Sequence, residues 1–148
     1  MRVVLQRVSH ASVEVDGRIV AKIWKGLIIY LGAATGDTFW DASYIADKIV
    51  NMRIFEDDKG KMNLSIADVR GQILLVSNFT LCGNCRKGRR PGFDTAADPE
   101  SANALFEEVV KLFAASDISV EKGVFGAHMH VTSINDGPVT FTLDSRGQ

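Results

Sequence analysis

Apolar and polar residues alternate from the start of the chain. Val4, Gln6 and Val8, then Val13 and Val15, keep a period of two and predict strands over residues 2–9 and 11–15. Asp16-Gly17 is a hairpin turn, and Arg18 to Trp24 returns as a second strand. Gly26 to Ala33 is a continuous apolar run between glycines, the pattern of a strand buried on both faces. Phe39, Ala42, Ile45, Ala46 and Ile49 then recur at threes and fours, predicting a helix capped by Asp37 or Thr38. Arg53 to Phe55 reads as a short strand and Asp57 to Gly60 as a turn. Lys61 to Ile66 and Ile73 to Phe79 flank Arg70-Gly71 and predict another hairpin. Residues 82–97 form a long loop. Asp98-Pro99-Glu100 starts a second helix, with Ala102, Leu105, Phe106, Val109, Leu112 and Phe113 as its buried stripe. Strands follow at 118–122, 128–134 and 138–144. The expected fold is one α/β domain over residues 1–148, with a mixed or antiparallel sheet and two main helices packed on it.

Composition narrows this picture. The chain has 148 residues, 46% hydrophobic and 24% charged, enough for a core of its own. It has no run of about 18 apolar residues, so no membrane span is expected. Its opening lacks the regions of a signal peptide, so a cytoplasmic location is expected. A net charge of −1 argues against nonspecific coating of nucleic acid. Arg86, Lys87, Arg89 and Arg90 nevertheless cluster in the long loop, either as a solvated surface or as a holder of a few phosphates. Cys82 and Cys85 form a lone Cys-x-x-Cys. A zinc site wants a second pair or two suitably spaced histidines, and His128 and His130 would share one face of a strand. The pair does not open a helix after a strand, as a redox pair would. Two thiols in a loop, with no metal and no cofactor, is the expectation.

Two segments carry the candidate chemistry: Ser77-Asn78-Phe79-Thr80-Leu81 and Asn135-Asp136-Gly137-Pro138-Val139-Thr140. Each sets small polar groups and backbone amides at the mouth of a strand. Each alone is also compatible with an ordinary strand end or turn. Together with Met1 to Val8, Gly26-Leu27-Ile28, Leu31-Gly32, Arg53-Ile54-Phe55, Gly60 to Leu64, and Lys87 to Pro91 with Phe93, they resemble the D-aminoacyl-tRNA deacylase family along nearly the whole chain. One departure stands out: the family's first motif usually reads Ser-Gln-Phe-Thr-Leu, and Asn78 here is one methylene shorter. The resemblance implies a curved, barrel-like sheet, a homodimer, tRNA as partner, and hydrolysis of the ester joining a D-amino acid to the terminal adenosine.

Such an ester is already activated, so backbone N–H groups aimed at its carbonyl can do much of the work. The amides of Phe79 and Thr80, with Ser77 and Asn78 beside them, are the candidates. Thr80 as a nucleophile would need a base that the sequence does not place beside it, which favours a positioning role. The substrate's own ribose 2′-hydroxyl could activate water instead. For Gly137-Pro138 the resemblance implies a cis peptide reaching from one subunit into the other's site, selecting chirality by exclusion. A glycyl ester would escape that exclusion. Arg7 and Asn135 are expected to support this element. Met129 and Phe125 either pack on the adenine or serve the core. Two further classes remain: a nucleic-acid-binding module of this fold without essential hydrolysis, and a thiol-based redox or metal protein built on Cys82 and Cys85.

Overall fold

The computed structural model describes residues 1–86 and 88–147. Strand β1 (Arg2–Val15) is its spine. One edge of β1 pairs antiparallel with β3 (Gly26–Gly32) along residues 2–8, then with β2 (Arg18–Ile23) along residues 11–15. Its other edge pairs with β8 (His130–Asp144) over almost its full length. β3 continues the sheet in parallel to β6 (Gln72–Ser77), and β6 in parallel to β7 (Ser119–Lys122). β4 (Phe55–Glu56) and β5 (Met62–Leu64) make a separate two-stranded ribbon. Helices α1 (Phe39–Asn51) and α2 (Pro99–Ala115) pack on one face of this mixed, barrel-like sheet.

Two apolar clusters follow from the strand period. Leu27, Ile29 and Leu31 of β3 and Ile73 and Leu75 of β6 face the helices, packing against Ile45, Ile49, Phe106, Val109 and Phe113. Ile28, Leu74 and Val76 point the other way, onto Val8, Ala11, Val13, Ala21 and Ile23 inside the curl. Asp16 (φ 49°) and Gly17 (φ 75°) make the β1–β2 turn, both in the left-handed region that the tight hairpin requires.

Three expectations need correction. β5 pairs with β4 and not with β6, so the hairpin across Arg70-Gly71 does not form. Arg70 (φ 50°) does turn the chain. The four buried residues Ile73, Leu74, Leu75 and Val76 then send β6 into the middle of the sheet, where both faces are covered. Phe39 is 60% exposed, because as the first helical residue it precedes the stripe that begins at Ala42. The two strands expected at 128–134 and 138–144 are one strand, β8, interrupted by irregular register.

Thr38, and not Asp37, is the N-cap of α1. The Asp41 carboxylate reaches back to the Thr38 N–H (2.8 Å) and hydroxyl (3.1 Å). It also accepts from the Ser145 hydroxyl (2.6 Å) beyond the end of β8, tying three elements together. Burial pushes this carboxyl up, but the Ser145 and Thr38 hydrogen bonds and the nearby Met1 ammonium outweigh it and hold the group below the usual carboxylate range. A carboxylate held low in the folded state contributes stability that is complete above its unfolded pKa of about 3.9 and is lost as pH falls through the lower folded value. Asp41→Asn is therefore expected to lower stability at neutral pH by about 1–3 kcal/mol and to weaken the acid dependence, as read by urea unfolding from roughly pH 3 to pH 7.

Candidate active site

β3 and β6 run parallel and end side by side, Leu31 opposite Ser77. Open α/β sheets bind ligands at the carboxyl ends of such strands. Here a cavity of about 630 Å³ lies there. Ser77, Asn78, Phe79 and Thr80 form one rim, Ala96, Ala97, Pro99, Ala102 and Phe106 the wall beneath the start of α2, and Phe125 to Met129 a covering loop. Tyr30, Leu31, Ala33, Val76 and Val131 complete it. The interior is predominantly apolar with a few polar groups at its edges, the usual make-up of a small-molecule site.

The Ser-Asn-Phe-Thr segment leaves β6 and winds into a 3-10 turn, Phe79–Cys82. Asn78 is its cap. The Asn78 N–H donates to the Leu31 carbonyl (2.8 Å), fixing the turn to the end of β3. The Asn78 carboxamide oxygen accepts from the Thr80 N–H (3.2 Å) and from the Thr80 hydroxyl (2.5 Å). These bonds separate the two amides that the sequence treats as equivalent. The Thr80 N–H is held by its own turn, whereas the Phe79 N–H has no hydrogen-bond partner among the described residues. The Thr80 hydroxyl gives its proton to an amide oxygen and not to a base, although His128 lines the same cavity.

Gly137 and Pro138 are exposed and do not line this cavity. Their peptide bond is cis, as the resemblance implies. Gln6 pairs with Thr140 and Val8 with Asn135, so residues 136–139 bulge from the ladder opposite the single residue Arg7. Arg7 holds the bulge: its Nε donates to the Asp136 carbonyl (3.1 Å) and its Nη1 to the Ile54 carbonyl (2.9 Å), with Glu56 and Asp136 carboxylates both at 3.4 Å. The Asn135 side chain closes it from within, accepting from the Val139 N–H (3.0 Å) and donating to the Thr140 hydroxyl (3.1 Å).

The other expected residues divide. Phe125 and Met129 line the cavity while packing partly against the two apolar clusters. Arg86, Arg89 and Arg90 are exposed on a loop closed by paired Asn84–Gly92 bonds (2.8 and 3.0 Å); Lys87 lies outside the described residues. None of these three arginines lines the cavity, but Phe93 at the base of their loop meets Phe79 edge to face at 5.0 Å. Cys82 corrects the picture of two loop thiols. It ends the 3-10 turn, is fully buried and donates to the Ala33 carbonyl (3.3 Å), while Cys85 is exposed. Among the described residues no three His, Cys, Asp or Glu side chains gather as metal ligands. None of the helices there is long and apolar enough to cross a membrane. The α2 wall and Tyr30 were not foreseen; the small residues Ala96-Ala97 ahead of Pro99 were the available signal for the wall.

An apolar cavity lined by Phe79, whose N–H has no partner among the described residues, lies at the ends of two parallel strands, and defines the class: an α/β protein with a small-molecule-sized cavity at its strand ends. The model of the D-Tyr-tRNA(Tyr) deacylase family matches residues 4–144, and the chain belongs to that family. It is 52% identical over 146 residues to the D-aminoacyl-tRNA deacylase of Thermosipho africanus, covering 99% of this chain and 98% of that protein. It is likewise 52% identical over 148 residues to the D-aminoacyl-tRNA deacylase of Geobacter sulfurreducens, covering 100% of this chain and 97% of that one. A solved structure described as a c-Myc DNA unwinding element binding protein superposes with a TM-score of 0.90 at 37% identity, over 97% of this chain and 98% of that one. A probable eukaryotic D-amino acid tRNA deacylase shares the fold, with a TM-score of 0.80 at 17% identity over 96% of this chain and 97% of that one.

The cap makes its own prediction. Asn78→Ala removes both acceptor contacts and is expected to lower stability by about 1 kcal/mol, while Asn78→Asp, which keeps an acceptor at the same reach, stays near the parent in a urea titration.

Proposed function

We propose that this protein hydrolyses the ester joining a D-amino acid to the terminal adenosine of tRNA, acting as a homodimer in the cytoplasm. Water adds to the acyl carbon, the bond from that carbon to the ribose oxygen breaks, and a free amino acid and an intact tRNA end leave. The observation that carries this reading is the unpartnered Phe79 N–H at the cavity mouth. In this reading it receives the oxyanion, and one such donor contributes roughly 3 kcal/mol. Thr80 positions substrate, since its proton is already given to Asn78. With no side-chain base bonded to Thr80, the ribose 2′-hydroxyl of the substrate serves to activate water.

Chiral selection falls to Gly137-Pro138 of a second copy. In its own chain this bulge is exposed and lies outside the cavity, so only a neighbouring subunit can bring it to Phe79. There its backbone excludes an L side chain, admits a D one and does not see glycine. The exposed arginines beyond Phe93 hold tRNA phosphates, a contact that weakens as salt rises. The second reading, a nucleic-acid-binding module without hydrolysis, draws on the name of the 37% identical structure.

Matched charged tRNAs separate the two. D-tyrosyl ester is expected to be released at least about a hundredfold faster than L-tyrosyl ester, with glycyl ester also cleaved and a 2′-deoxy terminus slowed. Salt-sensitive binding with no release of any D-amino acid would favour the second reading.

Phe79→Pro tests the amide directly. Pro removes the N–H but suits the first position of a helical turn after the extended Asn78. It is expected to lose about 100- to 1000-fold in activity relative to Phe79→Ala. Gly137 has φ +147°, and a Cβ there would lie 2.6 Å from the Val139 nitrogen, so Gly137→Ala disrupts the bulge. Refolding Phe79→Pro and Gly137→Ala chains together is expected to restore activity, because a mixed dimer holds one site built from two intact halves.

A further inference from the structure

Neutral bonds tie the two ends of the 3-10 turn to its neighbours: the Asn78 N–H donates to the Leu31 carbonyl (2.8 Å), and Cys82 bonds Ala33 through its thiol (3.3 Å) and the Thr95 hydroxyl through its carbonyl (2.8 Å). The middle of the turn is held by a charge. A groove of about 330 Å³ lies between Leu81 and the residues Arg2, Val4, Thr142 and Asp144 of the β1–β8 pair. The Arg2 side chain spans it. Its Nη1 donates to the Leu81 carbonyl (3.2 Å), and its Nε lies 3.5 Å from an Asp144 carboxylate oxygen. In the two antiparallel ladders Arg2 stands opposite Asp144 on one side and Gly32 on the other. Residues directly opposite share a face of the sheet. A Cβ on Gly32 would lie 3.1 Å from the Leu81 Cβ, so the missing side chain leaves the guanidinium a way to the turn.

We propose that Arg2 is a positioning residue for the hydrolysis, which fixes the direction of the Phe79 N–H by gripping the Leu81 carbonyl of the same turn. This rests on the reading of that amide as the oxyanion donor. The Leu81 N–H donates to the Asn78 carbonyl (3.3 Å) and closes a ring of backbone that contains the Phe79 amide, so Leu81 cannot swing without moving it. That bond is longer than the usual value of about 2.9 Å, and a brace from outside the turn matters accordingly. A guanidinium donates charge-assisted bonds, and its planar fork holds the carbonyl and the carboxylate in one fixed geometry. Misplacing a catalytic group by about 1 Å can cost on the order of a hundredfold in rate. Arg2 does not line the cavity, so it has no part in holding substrate. Its side chain is 42% exposed, and an ion pair so open to water adds little to stability. The effect therefore falls on the rate of the bound complex.

Arg2→Met keeps an unbranched stem and removes the guanidinium. The measurement is kcat and KM for D-tyrosyl-tRNA, with a urea midpoint, in the parent, Arg2→Met, Phe79→Pro and the double variant. Arg2→Met is expected to lower kcat roughly 10- to 30-fold, with KM within about twofold and the midpoint near the parent. Phe79→Pro has no amide left to position, so adding Arg2→Met to it is expected to cost less than about twofold. An unchanged kcat, a loss carried by KM, or the same loss in both backgrounds overturns the proposal, since the last outcome marks a merely structural arginine. Where Arg2→Met does not fold, Arg2→Lys, which keeps the charge and loses the fork, is judged by the same outcomes. A Phe79→Pro chain as active as Phe79→Ala overturns the amide reading and this proposal with it, which is seen before any Arg2 variant is compared.

Discussion

The pairing of β3 with β6 admits no side chain at either end of β3, and the site depends on that. A Cβ on Gly26 would fall 1.9 Å from the Gln72 carbonyl oxygen. One on Gly32 would fall 2.7 Å from the Asn78 carbonyl oxygen, 3.1 Å from Leu81 and 3.3 Å from the Cys82 sulfur. Glycine at both ends lets the two backbones approach, and the second approach is where β6 turns into the 3-10 segment. The residues just beyond Gly32 then anchor everything around the cavity. Ala33 accepts from the Cys82 thiol and from the Ala97 N–H (3.0 Å), and the Thr35 N–H reaches the Thr95 carbonyl (2.9 Å). The turn carrying Phe79 and the wall that starts α2 are thus both hung on one strand end. A shift of that end would displace the amide and the wall together.

Arg7 plays the corresponding part for the bulge at residues 136–139. Its side chain is 7% exposed, and burying a guanidinium is tolerable only when its donors are matched. Two carbonyls and two carboxylates match them, one pair from the bulge and one from Ile54 and Glu56. The planar fork reaches both sides at once, which the single ammonium of a lysine cannot do. The two-stranded ribbon, otherwise peripheral, becomes a buttress for Gly137-Pro138 through this one residue.

What was legible in the sequence was what local patterning decides. β1, β2, β3 and both helices follow from period and cap residues, and Asp98 caps α2 by accepting from the Ser101 N–H (2.9 Å). What failed was decided at a distance. Arg70 turns the chain as its dipeptide suggests, but which strand β6 joins is set by burial on both faces, and no hairpin signal carries that. Phe39 fits the apolar stripe by spacing and misses it by position on the first turn. Ser77 to Thr80 and Asn135 to Thr140 were legible as motifs. That Gly137-Pro138 lies outside the cavity of its own chain, which Ser77 to Thr80 line, agrees with the cross-subunit placement the resemblance implies, but local patterning does not carry it, because it depends on where β8 leaves its ladder. Tyr30 was hidden inside a run that reads simply as buried strand.

The Asn78 departure shows how a small change in reach redistributes a site. An Asn carboxamide bonds naturally to the backbone N–H two residues on, closing the local ring that makes Asn and Asp good caps. A glutamine carries one more methylene, and the same closure must then order another torsion. At position 78 the shorter side chain folds onto its own turn, and the Thr80 N–H is taken up in closing that turn. The Phe79 N–H cannot be withdrawn in this way, because it lies only one residue from the cap. With Asn78 bonded to Thr80, the Phe79 N–H is the amide of this pair left without a partner among the described residues. A donor held fixed before charge develops stabilises it without reorganisation, so a turn anchored by Asn78 is a suitable base for such a donor.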